Sequence, residues 1–202
     1  MIFIFDNFLD DPYQLRNYAL KSGLEYREDE TSVIPGIRHY DLITRKDKTD
    51  TSNIILRKIQ QVTGECTKST HCGFHLVSAK DYCGNVHIDI KSKYAAVLFL
   101  TPNPKKNSGT RIFNNSYEYK WIGEHDFLKK TQQFNNSKKS WLDRIKYSYH
   151  MNKYEKQFGK GMDVENKFNR LLIYKSPVAH KALHYFGDEF KNSRLTFFAF
   201  FN

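Results

Sequence analysis

The stretch "GNVHIDIKSKYAAVLFLTPNP", residues 84–104, carries His87 and Asp89 with one residue between them. In an extended strand alternate side chains share a face, so this imidazole and carboxylate point the same way, their Cα atoms about 7 Å apart. Such a pair can converge on one ion. Two ligands do not hold a metal for redox work. A facial set of two histidines and a carboxylate needs a second histidine from elsewhere and leaves positions open for substrate and oxygen. His180 and His184 are the candidates, since both follow the strand-like "RLLIYKSPVAH". Farther on, "SRLTFFAFFN" puts Arg194 and Thr196 on one face of an aromatic strand. An arginine there is costly unless an anion meets it, and its planar fork fits a carboxylate. The order is a metal triad followed by a carboxylate clamp. His-x-Asp alone is weakly specific, because His39-Tyr40-Asp41 repeats it.

The elements that must hold these residues are legible from periodicity and turn chemistry. "MIFIF" reads as a strand and "DDPYQLRNYALKSG" as a helix, capped by Asp10 or Asp11, with Pro12 in its first turn and Gly23 at its end. "SVIPGIRHYDLIT" is a loop broken at Pro35-Gly36, then a short strand. Pro35, Gly36 and Arg38 read as a turn or as an edge of the site. "TSNIILRKIQQVTG" is an amphipathic helix with Ile54, Ile55, Ile59 and Val62 inward. Strands follow in "GFHLVSA", "NVHIDI", "YAAVLFLT" and "GTRIF". Residues 117–168 lack period-2 alternation, and residues 120–160 hold ten basic and four acidic side chains. This predicts an insertion with one or two helices over a β core. "FNRLLIYK", "VAHKAL" and "RLTFFAFF" resume the strands. The order argues for an α+β protein with a sandwich or open barrel as core, in one domain spanning 1–202.

Composition narrows the classes. The chain has 202 residues, enough for one real core, and a net charge of +10. Of its 32 basic residues 23 are lysine, which suits general solubility as well as an anionic partner. Cys66, Cys72 and Cys83 contain no CxxC and argue against a disulfide framework, hence for a reducing, cytoplasmic setting. No signal peptide or membrane-length apolar run is evident. Cys66, His71, Cys72, His75 and Cys83 lack the C-x2-4-C start of a structural zinc site. Trp121, Trp141, Tyr147 and Tyr149 lie among lysines. They read as an amphipathic lid packed on the core rather than as a nucleic-acid surface.

Together these segments resemble the Fe(II)/2-oxoglutarate-dependent dioxygenase superfamily, on its prolyl-4-hydroxylase-like side, and within it a branch found in bacteria and phages. "DNFLDDP", "PGIR", "HID", "YAAVLFLTP", "SGTRIF", "NRLLIYKSPVAH", "YFG" and "RLTFFAFF" carry the resemblance over nearly the whole chain. The "VLFLTP…SGT" block is far more specific than His-x-Asp. The resemblance implies a double-stranded β-helix (jelly-roll) core with N-terminal helices packed on it. It implies His87, Asp89 and His180 as Fe(II) ligands, with His180 preferred to His184. Arg194 is then the partner of the distal carboxylate of 2-oxoglutarate, Thr196 an assisting hydroxyl, and Tyr82 and Tyr94 candidate hydrogen-bond partners of that co-substrate. It further implies hydroxylation with O2, releasing succinate and CO2, on a peptide (prolyl) or other substrate. Two other readings remain on the residues alone: a non-catalytic jelly-roll module gripping nucleic acid or an acidic partner through the basic insertion, and a cupin-like metalloenzyme that does not use 2-oxoglutarate.

Overall fold

Strand Arg194–Phe201 (β10) has hydrogen-bonded neighbours on both sides, so each of its side chains must suit one of two layers. The computed structural model describes residues 1–21, 27–28, 35–40, 50–81, 85–89, 92–114 and 140–202. Ten strands form two antiparallel sheets there. They are β1 (Ile2–Phe5), β2 (Arg27–Glu28), β3 (Ile37–Tyr40), β4 (Ser69–Val77), β5 (Tyr94–Phe99), β6 (Thr110–Phe113), β7 (Gly161–Val164), β8 (Leu171–Lys175), β9 (His180–Ala182) and β10. The large sheet runs β1-β8-β5-β10-β4-β3-β2 and the small one β7-β6-β9.

Alternation sorts the residues into layers. Leu195, Phe197, Ala199 and Phe201 of β10 join Leu98 of β5 and Leu171 and Ile173 of β8 in one buried cluster. Helices α1 (Pro12–Ala19) and α2 (Thr51–Thr63) close it with Leu15, Ala19, Ile55 and Ile59. Burying each such large apolar side chain contributes about 1.5–3 kcal/mol. The other face of the sheet meets the small sheet, where Phe99, Leu172 and Tyr174 pack on Ile112 and Val164. Outside the small sheet, α3 (Trp141–Glu155) buries Tyr147, Met151 and Tyr154 with Phe113 and Val86. The layers run helices, large sheet, small sheet, helix.

Local chemistry explains the ends of the helices. Asp11 caps α1 by accepting the Gln14 N–H at 3.0 Å, and Pro12 opens the first turn. The helix stops at Ala19, short of the expected Gly23, which lies outside the described residues. Arg16 is buried and donates to the carbonyls of Leu100 (2.7 Å) and Lys191 (2.5 Å), tying α1 to the sheet ends. A Ser140–Asp143 capping box starts α3.

Two expectations change. The segment expected to be all insertion contains β7, paired with β6 from Thr110↔Val164 to Phe113↔Gly161, so only part of residues 117–168 lies outside the sheets. Strand pairing here comes from tertiary contact, because "GMDV" has no alternation of its own. Residues 86–90 are not a regular strand. His87 makes one isolated antiparallel bridge to His180, and Ile90 lies outside the described residues.

The short motifs lock one another. Asn169 Oδ1 accepts the Leu9 N–H at 2.9 Å, and its Nδ2 donates to the Leu9 carbonyl at 2.8 Å. Arg170 and Lys167 meet Asp6 at 2.6 and 2.9 Å, holding its carboxyl well below the usual range. "DNFL" and "NRLL" thus form one joint. No helix among the described residues is long and apolar enough to cross a membrane.

Gly109 sits where β6 meets the end of β7; a Cβ there would stand 1.8 Å from the Val164 carbonyl oxygen. Gly109→Ala is expected to lower the unfolding free energy by about 1–3 kcal/mol. A shifted urea midpoint at constant slope is the readout; an unchanged midpoint would contradict this close approach.

Candidate metal and co-substrate site

Two backbone hydrogen bonds create the site. His87 N–H donates to the His180 carbonyl and His180 N–H to the His87 carbonyl, both at 2.9 Å. Their rings stand 4.2 Å apart between centroids. Each ring is oriented by the carbonyl two residues earlier: His87 Nδ1 lies 2.9 Å from the Asn85 oxygen and His180 Nδ1 3.0 Å from the Val178 oxygen. A carbonyl only accepts, so both Nδ1 atoms carry the proton and both Nε2 lone pairs face inward. Asn85 is in turn fixed by the Tyr147 hydroxyl of α3, which donates to its Oδ1 at 2.6 Å.

Asp89 completes the group, with Oδ2 3.4 Å from His180 Nε2. Potential ligand atoms of His87, Asp89 and His180 all lie within 4.8 Å of one another. Val86 and Ile88 pack toward α3, so the alternation expected of His-Ile-Asp holds without a ladder. Burial, then the neighbouring His180, pushes His87 down to about 4, which keeps it in the neutral, ligating form. The donor set of two neutral imidazoles and a carboxylate fits a divalent transition metal with open positions.

Tyr174 on β8 is the residue the sequence reading missed. Its hydroxyl lies 2.9 Å from His180 Nε2 and 3.1 Å from Asp89 Oδ2. Burial and the Asp89 charge raise its pKa well above the ordinary value, so it remains a donor. One proton cannot serve both acceptors. With Nε2 committed to a metal, Asp89 is the acceptor left to it. The signal was available: in "LLIYK" period 2 puts Leu172 and Tyr174 on one face.

Arg194 lies at 3% exposure on the same face of the large sheet as Thr196. Its Nε donates to the Ser108 carbonyl at 3.0 Å, and its guanidinium lies 5.5 Å from the Phe99 ring centroid. Among the described residues no carboxylate pairs with it, and burial pushes its pKa down to about 10. "SGT" is now explained. Ser108 supplies the carbonyl, Gly109 permits the close approach, and buried Thr110 lines the cavity. Thr196 Oγ1 points to the His75 carbonyl at 3.4 Å. A cavity of about 240 Å³ joins the triad to Arg194, Thr196 and Tyr185.

Other expected residues fall elsewhere. Tyr94 is a correction: it faces the helix layer, not the cavity, and its hydroxyl donates to Glu65 Oε2 at 2.9 Å. The parity of β5 turns Ala95, Val97 and Phe99 inward instead. Tyr82 and Cys83 lie outside the described residues. His184 is exposed, apart from the triad. His39 pairs with Phe74 of the helix-side cluster, and Asp41 lies outside the described residues. Cys66 is exposed and Cys72 buried, and neither joins a ligand cluster among the described residues. Of the insertion aromatics Tyr147 is buried, Trp141 and Tyr149 are exposed, and Trp121 lies outside the described residues. Arg38 and His75, on neighbouring strands, also line the cavity.

Titration with Co(II) or Ni(II) is expected to give one equivalent bound per chain. His180→Ala abolishes it and His184→Ala leaves it intact; the reverse pattern would reassign the ligand. Tyr174→Phe is expected to weaken binding about 10–100-fold, because Asp89 loses its orienting donor. Acid stability gives a further check. Burial, then the Arg38 charge, pushes His75 down to about 3, and its Nε2–H donates to the Pro35 carbonyl at 2.8 Å. The unfolded chain takes up this proton near pH 6.5 and the folded one does not, so stability is complete above that pH. It falls as pH drops from about 6.5 toward 3. Metal-free His75→Gln should show a flatter loss in denaturation at stepped pH; an identical slope would refute the assignment.

Solved structures share this fold. The α-ketoglutarate-dependent non-haem epimerase SnoN of nogalamycin biosynthesis aligns with a TM-score of 0.60 at 11% identity, over 100% of this chain and 77% of that one. A prolyl-4-hydroxylase of Pseudomonas putida gives 0.55 at 15% identity, over 100% and 91%. HygX of Streptomyces hygroscopicus, solved with nickel and 2-oxoglutarate, gives 0.55 at 11% identity, over 100% and 82%. At these identities the likeness is one of fold. No curated protein is significantly similar in sequence. Residues 1–201 match the family described as a family of unknown function, DUF6445, and with nearly its whole length matched the chain belongs to that family.

Proposed function

We propose that the protein is a non-haem Fe(II)- and 2-oxoglutarate-dependent oxygenase acting as a hydroxylase on a jelly-roll core. The observation that carries this reading is the pairing, in one cavity, of a His-Asp-His group with a buried arginine that has no carboxylate partner among the described residues. Iron bound by His87, Asp89 and His180 would supply oxidation of a substrate by O2, coupled to conversion of 2-oxoglutarate to succinate and CO2.

This chain's own residues do the rest. Asn85 and Val178 carbonyls hold the imidazoles in the ligating tautomer, and Tyr174 orients Asp89. Arg194, aimed by Ser108 and backed by Phe99, binds the distal carboxylate of the co-substrate, with Thr196 and Tyr185 beside it. The apolar walls Phe198 and Val97 limit water at the reacting end. Similarity to a prolyl-4-hydroxylase makes a prolyl peptide one substrate to assay. The structure of HygX with hygromycin B, at 10% identity, is a reminder that this fold also serves small molecules.

The test is succinate formation from 2-oxoglutarate with Fe(II) and O2, followed by NMR. Wild type is expected to turn over slowly without added substrate, and His87→Ala to lose all metal-dependent turnover. Arg194→Gln is expected to weaken 2-oxoglutarate binding at least about 30-fold, the equivalent of about 2 kcal/mol. Metal-loaded wild type that never binds 2-oxoglutarate would sink the reading.

A further inference from the structure

Strand β10 divides the cavity by chemistry. Its inward side chains run Arg194, Thr196, Phe198, Phe200. The first two are polar and buried, while the last two are apolar and only half-buried. The polar end suits the co-substrate. The aromatic end has no part yet in the chemistry described above.

Register ties that end to the metal ligands. Phe200 stands opposite Ala95 of β5 on one side and His71 of β4 on the other, and Ala95 stands opposite Tyr174 of β8. Tyr174, Ala95, Phe200 and His71 therefore form one row across four neighbouring strands. The Tyr174 hydroxyl lies within 3.1 Å of Asp89 Oδ2 and 2.9 Å of His180 Nε2. At a strand spacing of about 4.8 Å, the Cα atoms of Phe200 and Tyr174 are about 10 Å apart. The aromatic end thus begins about one ring's width from the triad.

Three rings build this wall. His71 and Phe200 stack at 6.0 Å between centroids with 21° between planes, and Phe198 lies 5.7 Å from His71 and 5.8 Å from Phe200. Gly73 makes room for the third ring. It faces Phe198 across β4 and β10, and a Cβ there would stand 3.1 Å from Phe198 Cζ and 2.1 Å from the His39 carbonyl oxygen. Phe198 therefore reaches over β4 toward His71. Half-buried rings grouped in a cavity wall offer apolar faces that another ring covers well, by offset stacking or edge contact. A cationic ligand is disfavoured because the buried Arg194 guanidinium lines the same cavity.

We propose that His71, Phe198 and Phe200 form the subsite that selects the primary substrate, and that they select it by an uncharged aromatic ring. The inference rests on the oxygenase reading, in which the co-substrate takes the Arg194 end. The cavity of about 240 Å³ is below the usual range of ligand pockets, about 300–1,000 Å³. Beside the co-substrate it admits one ring, and the body of a larger substrate stays outside.

The experiment uses whole protein loaded with Zn(II), a diamagnetic divalent ion, and saturating 2-oxoglutarate. Phenylacetamide, cyclohexylacetamide and benzyltrimethylammonium are titrated by ligand-detected NMR. Wild type is expected to bind phenylacetamide at least about threefold tighter than cyclohexylacetamide, since only the flat ring stacks. Phe200→Leu is expected to lose that preference while keeping its affinity for 2-oxoglutarate. Wild type with isotope-labelled phenylalanine should show contacts from the probe ring to Phe198 and Phe200, which decides the matter if the variant does not fold. No binding of phenylacetamide, an equal or tighter cyclohexyl amide, a tighter benzyltrimethylammonium, a preference that survives Phe200→Leu, or probe contacts elsewhere would each overturn the proposal. Failure of wild type to bind 2-oxoglutarate would instead sink the parent reading. The phenyl-to-cyclohexyl ratio on Zn(II)-loaded protein alone would then still decide whether this wall selects an aromatic ring.

Discussion

A strand flanked on both sides has no solvent to hide a misfit in, and β10 is such a strand. Its odd-numbered side chains from Leu195 to Phe201 fill the core under α1 and α2, and its even-numbered ones from Arg194 to Phe200 line the cavity. A slip of one residue would drive a guanidinium under the helices and expel four apolar side chains from the core. Register on this strand therefore sets where the cation stands. It also sets the inward parity of β4 and β5, through Thr196↔His75 and Thr196↔Phe99.

Everything near the cation is arranged to make its burial tolerable. The Ser108 carbonyl takes the Arg194 Nε–H, and the Phe99 ring lies against the guanidinium. Asn166 holds the Ser108 hydroxyl at 3.3 Å. His75 and His87 add no positive charge, because burial keeps these two neutral across the physiological range. A cavity with a buried guanidinium at Arg194 and, apart from it, a carboxylate beside two imidazoles suits an anion at the first place and a cation at the second.

Much of this was legible in the chain. Ile55 and Ile59, four apart, announced the buried stripe of α2, and both are fully buried. Asp11 and Pro12 marked the start of α1. His87 and Asp89 did turn to one face, with Val86 and Ile88 on the other. The tyrosine was chosen wrongly because Tyr94 and Tyr174 both occupy apolar strands of the same sheet, and only the layer each face meets separates them. Residues 161–164 fell within the segment read as an insertion because a short strand can draw its pairing wholly from its partner, here β6.

Sequence alone determined relations within an element: which residues share a face, where helices begin, and that an arginine in an aromatic strand wants an anion. These follow from backbone periods of 2 and 3.6, which need no partner. Tertiary structure decided which face is inside, which histidine comes to Asp89, and that Arg38, 49 residues before His87, enters the same cavity. Those are set by sheet pairing between distant segments. The two hydrogen bonds between His87 and His180 join residues 93 apart in the chain, a distance over which periodicity carries no information.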